Sequence, residues 1–350
     1  MAAEAGRPAP AQATGPSNAD ALVDAALAGD RRALARILTA VENRTPTAEL
    51  ALRRLYSMAG KAHLVGITGP PGAGKSTLVS ALIAAARAAN RAVGVIAVDP
   101  SSPITGGALL GDRVRMQSYA TDRDVFIRSV AARGHAGGLA STSTAAASVL
   151  DGAGFDLILL ETVGTGQSEV EVAAAADTTV VLEAPEMGDE VQAIKAGLLE
   201  VADIVVVNKG DRPGAQRTAS QLRAMLVATG RAAGGRTATT DRPKPKEPEV
   251  LVTTATSGDG IPELMAALDR HRARGRDVGD TPARLARAEA QVWAILADRL
   301  RARLHEAGHA AATADTIRRV AAHELDPFAA ADRLLGEIAG LGEIAGLGER

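Results

Sequence analysis

The chain has 350 residues, 46% hydrophobic and 23% charged, with a formal net charge of −2 and no cysteine. This suits a globular protein of one large domain with additions, or two small ones. The near-neutral balance gives no case for a nucleic-acid coat or a membrane-surface protein. The missing cysteines exclude disulfides, thiolate metal sites and thiol nucleophiles, and fit a reducing cytosol.

Residues 1–18, MAAEAGRPAPAQATGPSN, are rich in Pro and Ala and lack the apolar core of a signal peptide, so a disordered lead-in is expected. The longest apolar runs are far too short for a bilayer, and a cytoplasmic location is expected. Residues 19–60 space their apolar side chains by three and four, which predicts two or three short helices, one capped by Thr45 ahead of Pro46.

From residue 61 to 278 the rhythm changes. HLVGIT, AVGVIAV, DVFIRS, FDLILL, TTVVLE, ADIVVVN and EVLVTTA are short, β-branched and nearly continuous in apolar character. Strands buried on both faces read this way. Helical stretches such as KSTLVSALIAAARAANR lie between them, so the expected class is α/β, a mostly parallel sheet flanked by helices. Ligands in such folds bind beyond the carboxyl ends of the strands. A polar, Pro-rich loop follows at 232–250. Residues 279–336 are helical again, and Leu285, Val292, Leu296, Leu300 and Leu304 form one stripe, suited either to a dimer surface or to packing on the preceding domain. The tail, 337–350, repeats GEIAGL between glycines and is expected to fray.

The stretch GPPGAGKST, from Gly69 to Thr77, follows one predicted strand and opens a helix. It satisfies the phosphate-loop pattern with its required context. The amides of Gly69, Pro71-Gly72-Ala73-Gly74 (Pro71 apart, which has none) and the helix N-terminus offer partial positive charge to phosphate oxygens. Lys75 adds a full charge at the β- and γ-phosphates, Ser76 a hard oxygen for Mg²⁺, and Thr77 a contact to the α-phosphate.

Asn208-Lys209-Gly210-Asp211 ends another strand. A carboxylate at Asp211 accepts from guanine N1–H and the 2-amino group together, whereas adenine would leave it unpaired. A buried polar site of this kind discriminates by about 10⁴-fold. Lys209 would lie over the base and Asn208 would tie this loop to the phosphate loop. Thr254 and Ala255, after the last strand, would border the base, with the Ala255 N–H aimed at guanine O6. The expected nucleotide is therefore GTP, hydrolysed to GDP.

Two further segments are placed to sense the γ-phosphate. Asp99 and Glu161 each stand at a strand end, fit to hold Mg²⁺ directly or through water, and Gly164 follows Glu161 in an E-x-x-G variant of a switch motif. Asp112 lies in the first of these segments and is equally compatible with a solvated helix face. No glutamine immediately follows Gly164, so slow intrinsic turnover is expected, raised when a partner orders the switches.

DPSSPITGGALLGDRVRMQ, GGLAST, ETVGTGQSEVEV and EMGDEVQAIKAGLLEVADIVVVNKGD together resemble the MeaB/MMAA-type (ArgK-like) P-loop GTPases over residues 20–336. The resemblance implies a GTPase chaperone of an adenosylcobalamin-dependent acyl-CoA mutase, chiefly methylmalonyl-CoA mutase, gating cofactor loading. It also implies a homodimer, with a cobalamin adenosyltransferase as a second candidate partner. It makes Lys75, Asp99, Glu161 and Asp112 the residues of phosphate, metal and hydrolysis chemistry, and 185–197 a segment that communicates with the mutase. SVA in FIRSVAARGHAGGLA replaces a proline-containing turn, and DRPKPKEPEV lacks a tryptophan expected near it. Both departures bear on which mutase is recognised.

Three other readings stand beside this one. HEAGH at 305–309 matches a zinc-helix pattern, but Gly308 interrupts it and no third ligand is evident, with His323 or Glu324 the conceivable ones. A nickel or cobalt metallochaperone GTPase would share the architecture, yet usually carries thiolates or a His-rich tract. A transport-system protein kinase would need an Asp-centred catalytic loop, which the sequence does not show.

Overall fold

The computed structural model describes residues 18–100, 119, 121–132, 138–162, 176–185, 199, 201–234, 248–277, 282–306 and 308–339. Asp112 and Gly164 lie outside these residues, as do most of 185–197, the lead-in and the end of the tail.

Seven short aliphatic runs become seven strands: β1 (His63–Thr68), β2 (Val93–Pro100), β3 (Val125–Ala132), β4 (Leu157–Thr162), β5 (Thr178–Glu183), β6 (Ile204–Val207) and β7 (Glu249–Val252). They pair in parallel in the order β3-β2-β4-β1-β5-β6-β7. In β4, β5 and β6 every residue is buried, as a sheet covered on both faces requires. The expected α/β class is the observed one.

Helices flanking the sheet are α1 (Asn18–Leu27), α2 (Arg31–Glu42), α3 (Pro46–Tyr56), α4 (Lys75–Ala88), α5 (Gly138–Gly152), α6 (Ala215–Gly234) and α7 (Ile261–Asp277). Alternate strand residues divide between faces. Val65, Ile67, Val95, Leu159, Val180 and Val206 pack against Leu78, Leu82 and Ile83 of α4 and Leu264 and Leu268 of α7. On the other face, Val181, Val205 and Val207 meet Ala215, Ala219 and Leu222 of α6.

The remaining half of that second face is covered by the N-terminal helices. Leu34, Ile37 and Leu38 of α2, with Ala51 and Leu55 of α3, share one core with Ile96, Val98, Phe126, Ile158 and Leu160. Sequence periodicity announced these helices but not where their apolar faces go. Asp30 caps α2 by accepting from the Arg32 and Ala33 amides. Thr45 occupies the cap position of α3 with Pro46 next, but its side chain makes no capping bond; the extended backbone and Pro46 suffice to start the helix.

The chain divides into two compact units, Met1–Arg284 and Leu285–Arg350. Helices α8 (Pro282–His305), α9 (Ala310–Ala321) and α10 (Pro327–Ala339) account for the described part of the second. Of the α8 stripe, Leu285, Val292 and Leu296 are exposed. Among the described residues no helix is long and apolar enough to cross a membrane.

Candidate nucleotide site

β1 carries the phosphate loop. It leaves the sheet at Thr68 between β4 and β5, and the chain turns through Gly69 to Gly74 before α4 begins at Lys75. Two glycines are required by geometry. A Cβ on Gly69 would lie 2.3 Å from the Leu182 carbonyl oxygen, and one on Gly74 would lie 2.4 Å from Asn208 Nδ2. Both residues also have positive φ, +141° and +96°, which L side chains adopt only at a cost. The loop therefore fits between β5 and the Asn208 side chain only with hydrogens at these positions.

Gly74 is the residue before the helix, so the first amides of α4 open onto the loop and carry the positive end of the helix dipole. Lys75 is buried and folds over its own loop, its Nζ donating to the Gly69 and Pro70 carbonyls at 2.6 and 3.1 Å. Ser76 Oγ donates to Glu161 Oε1 at 2.8 Å, with both residues buried. Glu161 stands in β4 opposite Ile67 of β1, so the parallel register brings a residue 85 positions away beside the first turn of α4. Thr77 is in that same turn, half-buried. Asp99 lies in β2 opposite Ala131, on the same carboxyl edge.

The second loop is fastened to the first. Asn208 is buried at the end of β6, its Nδ2 donating to the Ala73 carbonyl at 2.9 Å. Its Oδ1 accepts from Thr253 Oγ1 at 3.2 Å and from the Ala255 amide at 3.1 Å. Lys209, at φ +59°, donates from Nζ to the Gly72 carbonyl at 2.6 Å. The Gly210 amide donates to the Thr253 carbonyl. Asp211 is exposed just beyond. Thr254 closes the neighbouring turn by pairing with Asp259. One amide side chain thus holds together the phosphate loop, the β6 loop and the β7 loop.

The predicted residues Gly69, Pro71, Gly72, Ala73, Gly74, Lys75, Ser76, Thr77, Glu161, Asn208, Lys209, Asp211, Thr254 and Ala255 all fall on the loops, the strand ends or the first turn of α4 at this one edge. The Ala255 amide, expected to face guanine O6, here donates to Asn208. Thr253 was missed by sequence reasoning; its signal was that it is the first of two threonines directly after the apolar run EVLV.

HEAGH does not form a metal-binding helix face. Helix α8 stops at His305 and α9 starts at Ala310. His305 Nδ1 is engaged with the Arg301 carbonyl at 2.8 Å, and His309 is buried at the start of α9. Among the described residues no group of three or more His, Asp or Glu is placed to hold a metal ion.

Comparison with known proteins gives a consistent result. The family model described as methylmalonyl Co-A mutase-associated GTPase MeaB matches residues 34–309. A protein of Pyrococcus abyssi named as a GTPase is 45% identical over 325 residues, covering 92% of this chain and 97% of that protein. The mouse methylmalonic aciduria type A homolog, mitochondrial, is 35% identical over 263 residues, covering 70% of this chain and 61% of that one. Among solved structures, one described as a LAO/AO transport system kinase superposes with a TM-score of 0.62 at 26% identity, covering 93% of this chain and 99% of that chain.

Proposed function

The chain belongs to the MeaB family of methylmalonyl-CoA mutase-associated GTPases, and from that premise we propose that it is a Mg²⁺-dependent GTP switch that chaperones an adenosylcobalamin-dependent acyl-CoA mutase. The observation that carries the nucleotide reading is Asn208: its bond to Ala73 fixes the loop bearing Asp211 at a set distance from the phosphate loop. That is the arrangement a ligand with a base at one end and phosphates at the other requires.

The residues divide the chemistry among themselves. Loop amides and the α4 N-terminus hold the β- and γ-phosphates. Lys75 Nζ, now on the Gly69 and Pro70 carbonyls, reaches forward to the same oxygens and stabilises charge as the γ-phosphoryl group transfers in line to water. Asp211 reads the guanine edge. The buried Ser76–Glu161 pair is a hard-oxygen donor set beside the phosphate loop, and it fits Mg²⁺. Held there by Ser76 and Glu161, with Asp99 as a further candidate ligand, the ion would help neutralise the negative charge of the triphosphate. Glu161 also keeps the Ser76 hydroxyl oriented, since its carboxylate can only accept.

Gly164, Asp112 and 185–197 are assigned to the segments that respond to the γ-phosphate and carry the response to the mutase. The family description names the mutase association, and the mouse relative's name points to methylmalonate metabolism. A cobalamin adenosyltransferase is a second candidate partner. Exposed Leu285, Val292 and Leu296 support a homodimer, and the absence of cysteine supports a cytosolic setting.

Calorimetry with Mg·GTP and Mg·ATP tests the nucleotide reading: GTP binds and ATP does not. Affinity capture from native extract with a non-hydrolysable GTP analogue tests the chaperone reading, with a cobalamin mutase expected on the resin. Equal binding of ATP overturns the first. A failure to retain any such mutase in either nucleotide state overturns the second.

A further inference from the structure

Two consecutive residues of β4 hold the two ends of the phosphate loop. Thr68 closes β1 immediately before Gly69, and Ser76 is the second residue of α4. Glu161 Oε1 accepts from Ser76 Oγ at 2.8 Å, and Thr162 Oγ1 donates to Thr68 Oγ1 at 3.2 Å. All four residues are buried. The two bonds leave β4 in opposite directions, because successive strand side chains point to opposite faces. Glu161 shares the face of Leu157 and Leu159, against α4, and Thr162 shares the face of Ile158 and Leu160, against the N-terminal helices.

The hydroxyl pair begins where the backbone ladder stops. Pairing between β1 and β4 ends at Ile67 and Glu161. The next residues turn to other neighbours, Thr68 to Val181 of β5 and Thr162 to Val98 of β2. One step past the last backbone pair, the connection between β1 and β4 is therefore made by side chains. At this same point one chain departs into the phosphate loop and the other toward Gly164 of the E-x-x-G motif.

We propose that Thr162, acting through Thr68, is a positioning residue for GTP hydrolysis: it fixes the entry to the phosphate loop against the strand end that carries Glu161. The role rests on the assignment of Ser76 and Glu161 to the metal and phosphate chemistry. Packing alone does not call for hydroxyls at these positions. Ile158, Leu160 and Val181 fill the same face of the sheet with aliphatic side chains, and valine has the shape of threonine. Exchanging a hydrogen-bonded pair for two apolar groups of equal shape can leave stability nearly unchanged. What valine cannot supply is a directed bond between the two strand ends.

The consequence falls on turnover more than on affinity. Loop amides, the α4 N-terminus and Lys75 grip the phosphates, and Thr162 bonds to Thr68, outside that set. Asn208 holds the middle of the loop independently, through the Ala73 carbonyl. In-line transfer requires in addition that Glu161 keep its place relative to the cradle, and a misplacement of about 1 Å can cost about a hundredfold in rate. Losing the hydroxyl pair should therefore leave a loop that still binds GTP but is poorly registered against β4.

Three measurements on the full chain test this role: single-turnover GTP hydrolysis, calorimetry with GTP, and amide exchange of the nucleotide-free, metal-free protein by mass spectrometry. Thr68→Val combined with Thr162→Val removes both hydroxyls and orphans neither, so this variant is expected to fold. Its hydrolysis rate constant should fall at least about tenfold while its GTP Kd stays within about threefold of wild type. Its phosphate-loop peptides should exchange about threefold faster or more. Thr162→Ser keeps the hydroxyl and should retain both the rate and the exchange of the wild type. The role is overturned, with the GTPase reading intact, if the double variant hydrolyses GTP within about twofold of wild type or loses as much in Kd as in rate. It is equally overturned if exchange is unchanged, if Thr162→Ser is as slow as the double variant, or if the double variant no longer folds, since the hydroxyls would then serve stability. A wild type that fails to bind or hydrolyse GTP overturns the GTPase reading itself, and the positioning role with it.

Discussion

Acidification should weaken this fold through one buried ring. Burial, with Arg272 and Arg91 next in effect, lowers the pKa of His63 from its ordinary 6.5 to about 3. The folded-state value lies below the unfolded one, so between them the unfolded chain binds more protons and stability falls as pH falls. The contribution is complete above about pH 6.5 and is lost progressively toward about pH 3. At pH 5.0 the unfolded ring lies about 1.5 units below its own pKa. At about 1.36 kcal/mol per unit, the loss from this residue is about 2 kcal/mol relative to pH 7.5. Urea unfolding at the two pH values, followed by circular dichroism, measures it. His63→Gln has nothing to titrate at this position, so its stability should fall by about 2 kcal/mol less than the wild type over the same interval. An identical acid loss in both proteins would refute the assignment of the effect to His63.

Asp211→Asn should lower GTP affinity at least about tenfold and transfer preference to xanthosine triphosphate, whose 2-oxo group accepts where guanine donates; competition calorimetry reads both. Gly74→Ala places a methyl 2.4 Å from Asn208 Nδ2. It should abolish measurable nucleotide binding while leaving the far-ultraviolet spectrum unchanged, and residual binding within about tenfold of wild type would contradict the packing argument. Leu55→Ala removes a fully buried side chain from the core shared by α3 and the sheet and should cost about 2–5 kcal/mol. A loss below about 1 kcal/mol in urea unfolding would mean that the N-terminal helices are only loosely attached.

The fold was largely legible because its strands are buried on both faces, and the shortness of such runs as FDLILL and ADIVVVN, with the β-branched residues in the second, favours strands over buried helices. The site was legible where chemistry demands fixed spacing along the chain. Gly69 through Thr77, and Asn208 through Asp211, could be read residue by residue. What depended on distance in the chain was harder. Glu161 could be placed at a strand end, but its bond to Ser76 depends on the β1–β4 register. Thr253, which steadies Asn208, carries no motif. The contacts of Thr178 with His63 and His271 were invisible, because His63 and Thr178 look like ordinary polar residues at strand starts and His271 lies inside α7. The destination of α1–α3 was hidden for a related reason: periodicity gives a helix an apolar face without saying which surface receives it.

That destination has a consequence for synthesis. Ile37 and Leu55 leave the ribosome early, but Ile158 and Leu160, against which their cluster closes, follow about a hundred residues later. At about 5–20 residues per second the first helices wait several seconds or more for their counterpart. Throughout that interval a greasy, half-built bundle must be shielded or risk sticking to its neighbours, so the nascent chain is most vulnerable before its GTPase loop has even been completed by the strands that brace it.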